Sequence, residues 1–324
     1  MLPYPGIPYG TAPAWCFPVS EAMMFVLLAL CLGHAYRRHR EAIPYIVGGF
    51  GFGVLLEYME VVSHSYTYGH FFLMVGRAPL NVPLSVGAGW AIILYTARLF
   101  SDALRLPLLA AAAFDTLLAL NIDLSMDVVA YRLHMWHWYW KDTSLSLTSQ
   151  WFGIPYGNFN GWITVVFCYS AFSRIFEKFV VRPGPGSITR RSLIAILALL
   201  SSLAALFVAE NYFYPFLFRL GITSGIRLIL IVIALVVLIA FDWRKRSLPM
   251  RSLPPIALWV PCWFHFFFGF CFFALGFYRE NRWMTFATVV NLLIGFAIHL
   301  APYRAGVVSE CFPGSDLGAR PSGK

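Results

Sequence analysis

Apolar runs of about twenty residues recur along the chain, near 18–36, 43–63, 83–101, 105–124, 161–181, 192–212, 223–242, 255–277 and 283–301. A helix of that length spans a hydrocarbon core of about 30 Å. Backbone groups in that core must pair within the chain, which helices achieve. The runs do not alternate apolar and polar positions, as strands of a membrane barrel would. The pattern therefore predicts an all-α, polytopic integral membrane helix bundle with about nine transmembrane helices, eight being the alternative count. Residues 1–304 read as one transmembrane domain, and 305–324, containing Gly, Pro and Ser, as a flexible tail. The first run has no basic segment before it, and Ala12-Pro13-Ala14 precedes it instead of following it, so it reads as a retained helix. No internal repeat stands out, which weighs against a transporter built from two halves.

Composition agrees with this pattern. The chain is 59% hydrophobic and 12% charged, too few charges to cover a soluble surface of this size. Its net charge of +9 would suggest nucleic acid in a soluble protein. Here topology explains it. With the N-terminus outside, Arg37, Arg38, Arg40, Arg190, Arg191, Arg244, Lys245 and Arg246 all fall on the cytoplasmic side, and the bias is roughly 17 basic residues against 7. The expected placement is a bacterial or archaeal cytoplasmic membrane, with a cytoplasmic C-terminus. The expected partner is the lipid bilayer, and no nucleic acid is expected. Cys16, Cys31, Cys168, Cys262, Cys271 and Cys311 lack metal-type spacing and mostly sit in apolar runs, as buried structural thiols do.

Ionisable groups inside spans are costly, so each is a candidate site. Glu57 and Glu60 in the second run, followed by His64, fall in one helical stripe. The fourth run carries Asp115, with Asp123 and Asp127 one turn apart at its outer end. Asp115 lies about 12 Å deeper than Asp123 at 1.5 Å per residue. Two carboxylates one turn apart in an apolar medium resist ionising together, which makes the pair a candidate general acid. The plainer alternative is a helix end with two solvated aspartates. His265, Asn291 and His299 suit interhelical hydrogen bonding better than ligation. His134 and His137 stand three apart, but nothing accompanies them as a metal site requires, and no metal is expected. Gly49 and Gly53 form a small-xxx-small pair within a span, which points to close helix packing. The segment with Trp136, Trp138, Tyr139, Trp140, Trp151 and Tyr156 is either an interfacial belt or the wall of a site.

Residues 57–182 carry a further signal. Asp123-Leu-Ser-Met-Asp127, Trp136-His-Trp138 and Phe152-Gly-Ile-Pro155 with Asn158-Phe159 and Gly161-Trp162 follow one another in order. Upstream stand Tyr66-Thr-Tyr68-Gly69, Val82-Pro83-Leu84 and Trp90. In these motifs the chain resembles the carotenoid-biosynthesis membrane proteins that include bacterioruberin-type proteins and carotenoid 1,2-hydratases. Val128 departs from the Pro that often follows the family's second aspartate.

The resemblance implies a carotenoid or other polyisoprenoid substrate lying in the bilayer, handled alongside other carotenoid-pathway enzymes. It implies hydration of a terminal alkene by protonation to a tertiary carbocation and capture of water, with no cofactor. The implied acids are Asp123 and Asp127 first, then Glu57, Glu60 and Asp115. The implied substrate-binding residues are Tyr66, Tyr68, Trp90, Trp136, Trp138, Asn158 and Trp162. The rivals are end-group cyclisation or isomerisation through a similar cation, and a non-catalytic lipid or carotenoid carrier or scaffold.

Overall fold

The computed structural model describes residues 12–138, 149–180, 188–244 and 251–304. The tail after 304, the N-terminal residues 1–11, and Tyr139 and Trp140 of the aromatic segment lie outside the described residues. Among the described residues nine long helices run back and forth: α1 (Cys16–Arg38), α2 (Ile43–Val62), α3 (Leu84–Ala103), α4 (Leu108–Arg132), α5 (Tyr156–Val180), α6 (Ile188–Val208), α8 (Ser224–Arg244), α9 (Ile256–Ala274) and α10 (Arg282–Arg304). A π turn (Ala209–Phe213) joins α6 to the short α7 (Tyr214–Arg219). Taking α6 through α7 as one span, eight segments are long and apolar enough to cross a membrane. The remaining long helix, α5, has 25 residues and packs against α4, α6 and α8. The chain is an all-α polytopic membrane bundle.

Prolines set several of the helix starts. Pro44 lies in the first turn of α2, and Pro83, Pro107 and Pro255 stand just before α3, α4 and α9. Their missing N–H groups fall where a helix has no acceptor for them. Apolar residues then fill the bundle, and α8 turns Ile229, Ile233 and Val237 outward. Such a surface is one that a lipid bilayer covers favourably.

Helix ends differ from the hydropathy pattern at the site. The apolar run ends near 124, but α4 continues to Arg132. The expected fifth span begins at 161, but α5 begins at Tyr156. Polar residues that resemble solvated helix ends are buried inside the bundle instead. Arg132 shows this best. Its side chain is fully buried, with Nε and Nη2 donating to the Glu280 carboxylate at 2.7 and 2.6 Å. Its Nη1 donates to the carbonyls of Val128 and Phe152. One guanidinium thus ties α4 to the α9–α10 turn and to the approach to α5.

Four short strands among the described residues close the same end: β1 (Tyr66–Tyr68), β2 (Met74–Arg77), β3 (Leu80–Pro83) and β4 (Trp136–Trp138). β2 and β3 form a hairpin, and β1 pairs antiparallel with β4, Tyr66 opposite Trp138 and Tyr68 opposite Trp136. This pairing exposes a duplication that the apolar pattern hides. Glu57, His64, Tyr66 and Tyr68 recur 70 residues on as Asp127, His134, Trp136 and Trp138. His64 and His134 both have φ 57°, turning the chain from helix into strand in the same way. Then Val82-Pro83 with Gly89-Trp90 recurs 72 residues on as Ile154-Pro155 with Gly161-Trp162. The expectation of no internal repeat is therefore corrected. α2–β1–α3 and α4–β4–α5 are two copies of one unit, related by the approximate two-fold of the β1–β4 pair. The repeat lies in helix-end chemistry, and spans that are all apolar look alike in any register.

Glu280→Gln leaves the buried Arg132 charge without its counterion. It is expected to cost about 3–5 kcal/mol of stability. Thermal unfolding of the full chain in detergent reads this, and Arg132→Met with Glu280→Met should recover part of the loss.

Candidate functional site

The duplicated end of the bundle brings Glu57 and Asp127 to one cleft, with Asp123 buried beside Asp127. Glu57 is buried on α2. Its Oε1 accepts Trp90 Nε1–H at 2.7 Å, and its Oε2 accepts the hydroxyls of both Tyr66 and Tyr68. Burial, then the charge of Glu57, pushes the Tyr66 and Tyr68 phenols well above their ordinary value, so both remain donors. Gly53, one turn before Glu57, makes room for this contact. A Cβ there would lie 2.6 Å from Trp90, and one at Gly49 would lie 3.2 Å from the Ala91 backbone. The small-xxx-small pair thus lets α2 and α3 approach closely, as the spacing predicts. Trp90 in turn stacks on Trp162 of α5, centroids 4.2 Å apart.

Asp123 and Asp127 lie on one face of α4, both buried. Asn158, in the first turn of α5, donates from one Nδ2 to Asp127 Oδ2 at 2.6 Å and Asp123 Oδ2 at 3.2 Å. The shared amide holds the two carboxyl groups beside each other. No ion pair among the described residues involves Glu57, Asp123 or Asp127.

Glu57, Asp127 and Asn158 form the polar end of a cleft with a cavity volume of about 90 Å³. Tyr66, Tyr68, Trp136 and Trp138 lie over it, one strand face each from β1 and β4. Met24 of α1, Ile93 of α3 and Phe264 and Phe268 of α9 line it with apolar surface. A second cleft, of about 90 Å³, lies across the Trp90–Trp162 wall and shares Glu57, Tyr66 and Asn158 with the first. Glu60 and Glu210 line this second one.

Other residues singled out from sequence lie elsewhere. Asp115 is buried in a separate cluster, accepting from Ser170 Oγ at 2.6 Å and Arg174 Nη1 at 2.9 Å. That ion pair gives it a structural place near the opposite end, away from the cleft. His64 follows the end of α2, so it leaves the stripe of Glu57 and Glu60. Asn291 and Asn121 bind one another across α10 and α4, the interhelical role expected of Asn291. Burial, then His134, holds His137 below its ordinary value. No group of three or more His, Cys, Asp or Glu is arranged for a metal among the described residues.

Sequence reading missed Glu21. Its carboxylate on α1 accepts the backbone N–H groups of Phe72 and Leu73 at 2.7 Å each, holding the segment whose Phe71 lines the first cleft. The signal was present, since Glu21 is the lone acid in the first apolar run. Phe264 and Phe268 carry no such signal among the many phenylalanines of α9.

The model of a family described as carotenoid biosynthesis protein matches residues 16–232, well over half the chain. The match extends beyond the 57–182 region in which the resemblance was read and stops within α8, so α9 lies outside it. No curated protein and no solved structure matches the chain.

Tyr66→Phe and Tyr68→Phe each remove one donor to a buried carboxyl. Each is expected to lower stability by about 1–3 kcal/mol. A melting temperature unchanged in both variants would contradict the arrangement around Glu57.

Proposed function

The chain belongs to the carotenoid biosynthesis family whose model it matches, and from that premise we propose that it hydrates the terminal alkene of an acyclic carotenoid. The observation that carries this reading is a polar end where Glu57 and Asp127 line an apolar, aromatic cleft inside a membrane bundle, with Asp123 buried beside Asp127 and no ion pair to any of the three among the described residues. A charge taken into such surroundings is neutralised by a partner or by a proton. Asp123 and Asp127 share the Asn158 amide, and neither has an ion-pair partner among the described residues. That arrangement suits a carboxylic acid held ready as donor.

The chemistry balances without a cofactor. The acid of the Asp123–Asp127 pair gives its proton to the less substituted alkene carbon, leaving a tertiary carbocation. Trp136, Trp138 and Trp162 offer ring faces that favour the cation. Water bonds to the cationic carbon, and its surplus proton returns to a carboxylate. Asn158 and Glu57 position that water. The polyene lies toward Met24, Phe264 and Phe268, with the reacting end group toward Asp127. By the positive-inside bias, this end of the bundle faces outward.

Expression in a host that makes acyclic carotenoids tests the reading. The product should carry one added water, whereas cyclisation or isomerisation leaves mass unchanged. A pigment profile equal to that of the empty vector, with protein confirmed in the membrane, would sink it. Asp123→Asn, Asp127→Asn and Glu57→Gln should each lower product by about 100-fold or more. Full product from all three would remove these residues from the reaction and favour a carrier role.

A further inference from the structure

The two clefts are built from equivalent residues. Met126, Asp127, Ser85, Gly89, Trp90 and Ile93 line the first. Leu56, Glu57, Gly157, Gly161, Trp162 and Val165 line the second. Each residue of one set stands at the repeat offset from its counterpart in the other. Glu57, Trp90 and Trp162 line both clefts, and the remaining pairs relate the second cleft to the first by the same repeat.

The two clefts differ in one respect. The first is completed by Met24, Phe71, Phe264 and Phe268, which suit a hydrocarbon. The second is completed by Glu60, Ser65 and Glu210. Glu60 stands where the repeat has Ala130. Glu210 sits in the π turn that interrupts the helix after Val208, a kind of break that re-aims side chains at functional sites. Exposure falls along the carboxyl groups: Glu210 is exposed, Glu60 half-buried and Glu57 buried. The space beside Gly161 is open, with no atom within 4 Å of where a Cβ would stand.

We propose that the second cleft is a water-binding entrance, separate from the polyene cleft, through which the water consumed in hydration reaches Glu57 and the Asp123–Asp127 pair. This rests on the hydration reading for the use of the water but not for its presence. A polyene end would leave Glu60 and Glu210 facing hydrocarbon, which disfavours the second cleft as a second substrate site. One water enters per alkene. Its oxygen forms the new bond to carbon, and the proton it releases replaces the one the acid gave.

Hydroxyl-radical footprinting of the full chain in lipid nanodiscs tests for water directly. Leu206 lines the second cleft and is 6% exposed, whereas Leu203, on the same helix, is 7% exposed and outside it. Wild-type protein should label Leu206 severalfold faster than Leu203. Gly161→Leu should bring Leu206 down to the Leu203 level, keep polyene binding as read by tryptophan quenching, and lower hydration about tenfold or more. Gly161→Ala should fall between the two and covers the case in which the larger residue misfolds. Equal labelling of Leu206 and Leu203 in the wild type overturns the entrance, whatever the activity. So does a Gly161→Leu protein that hydrates at the full rate or loses polyene binding. If the wild type labels Leu206, Gly161→Leu suppresses it, and no hydrated product forms, the entrance stands and the hydration reading fails.

Discussion

Carboxyl groups buried in a membrane bundle with neutral donors, and no cation, in contact with them set the terms for the rest of this structure. Glu57 takes two phenols and an indole; Asp123 and Asp127 share one amide. The four donors come from three elements, β1, α3 and α5, so these elements cannot drift without leaving a buried acceptor unpaired. Close packing of α2 on α3 at Gly53 brings Trp90 to Glu57. The β1–β4 pair brings both tyrosines. The early start of α5 brings Asn158. The ion pairs of Arg132 with Glu280 and of Arg174 with Asp115 lie outside the cleft, where they fasten the bundle without quenching these acids.

Duplication explains how one chain arrives at such an arrangement. A single unit of helix, left-handed histidine, aromatic strand and Gly-Trp helix supplies one carboxyl group and one indole. Two units face each other across the β1–β4 pair, with Trp90 and Trp162 stacked between them. Neither unit alone encloses a cleft. Divergence around the pair then differs by side: α1 and α9 add methionine and phenylalanine to one cleft, and α2 and the α6 turn add glutamates to the other. The family match covers both units but ends before α9. The apolar wall of Phe264 and Phe268 is thus contributed from outside the matched region.

The architecture was legible in the sequence because lipid imposes a length and a polarity on every span. The spans near 18–36, 43–63 and 255–277 coincide with α1, α2 and α9 to within a few residues. Hydropathy fails where polar groups are buried against protein instead of solvent. Asp127 and Arg132 look like the ends of spans and are buried, and Asn158 is half-buried against Asp127. Costly ionisable positions were legible too, and Glu57, Asp123 and Asp127 meet while Asp115 finds its own arginine. What separates them is partnership across helices, which spacing along one helix does not record. The repeat was hidden for a related reason: its marks are a few residues at helix ends, outweighed by long runs of interchangeable apolar side chains.

Running the reaction in water enriched in heavy oxygen tests the central claim most directly. Purified protein in lipid would be given an acyclic carotenoid with ordinary dissolved oxygen gas. The account predicts a product that carries one heavy oxygen as a tertiary alcohol, formed without added cofactor. A product that keeps the substrate's mass, or whose oxygen comes from the gas, would contradict it.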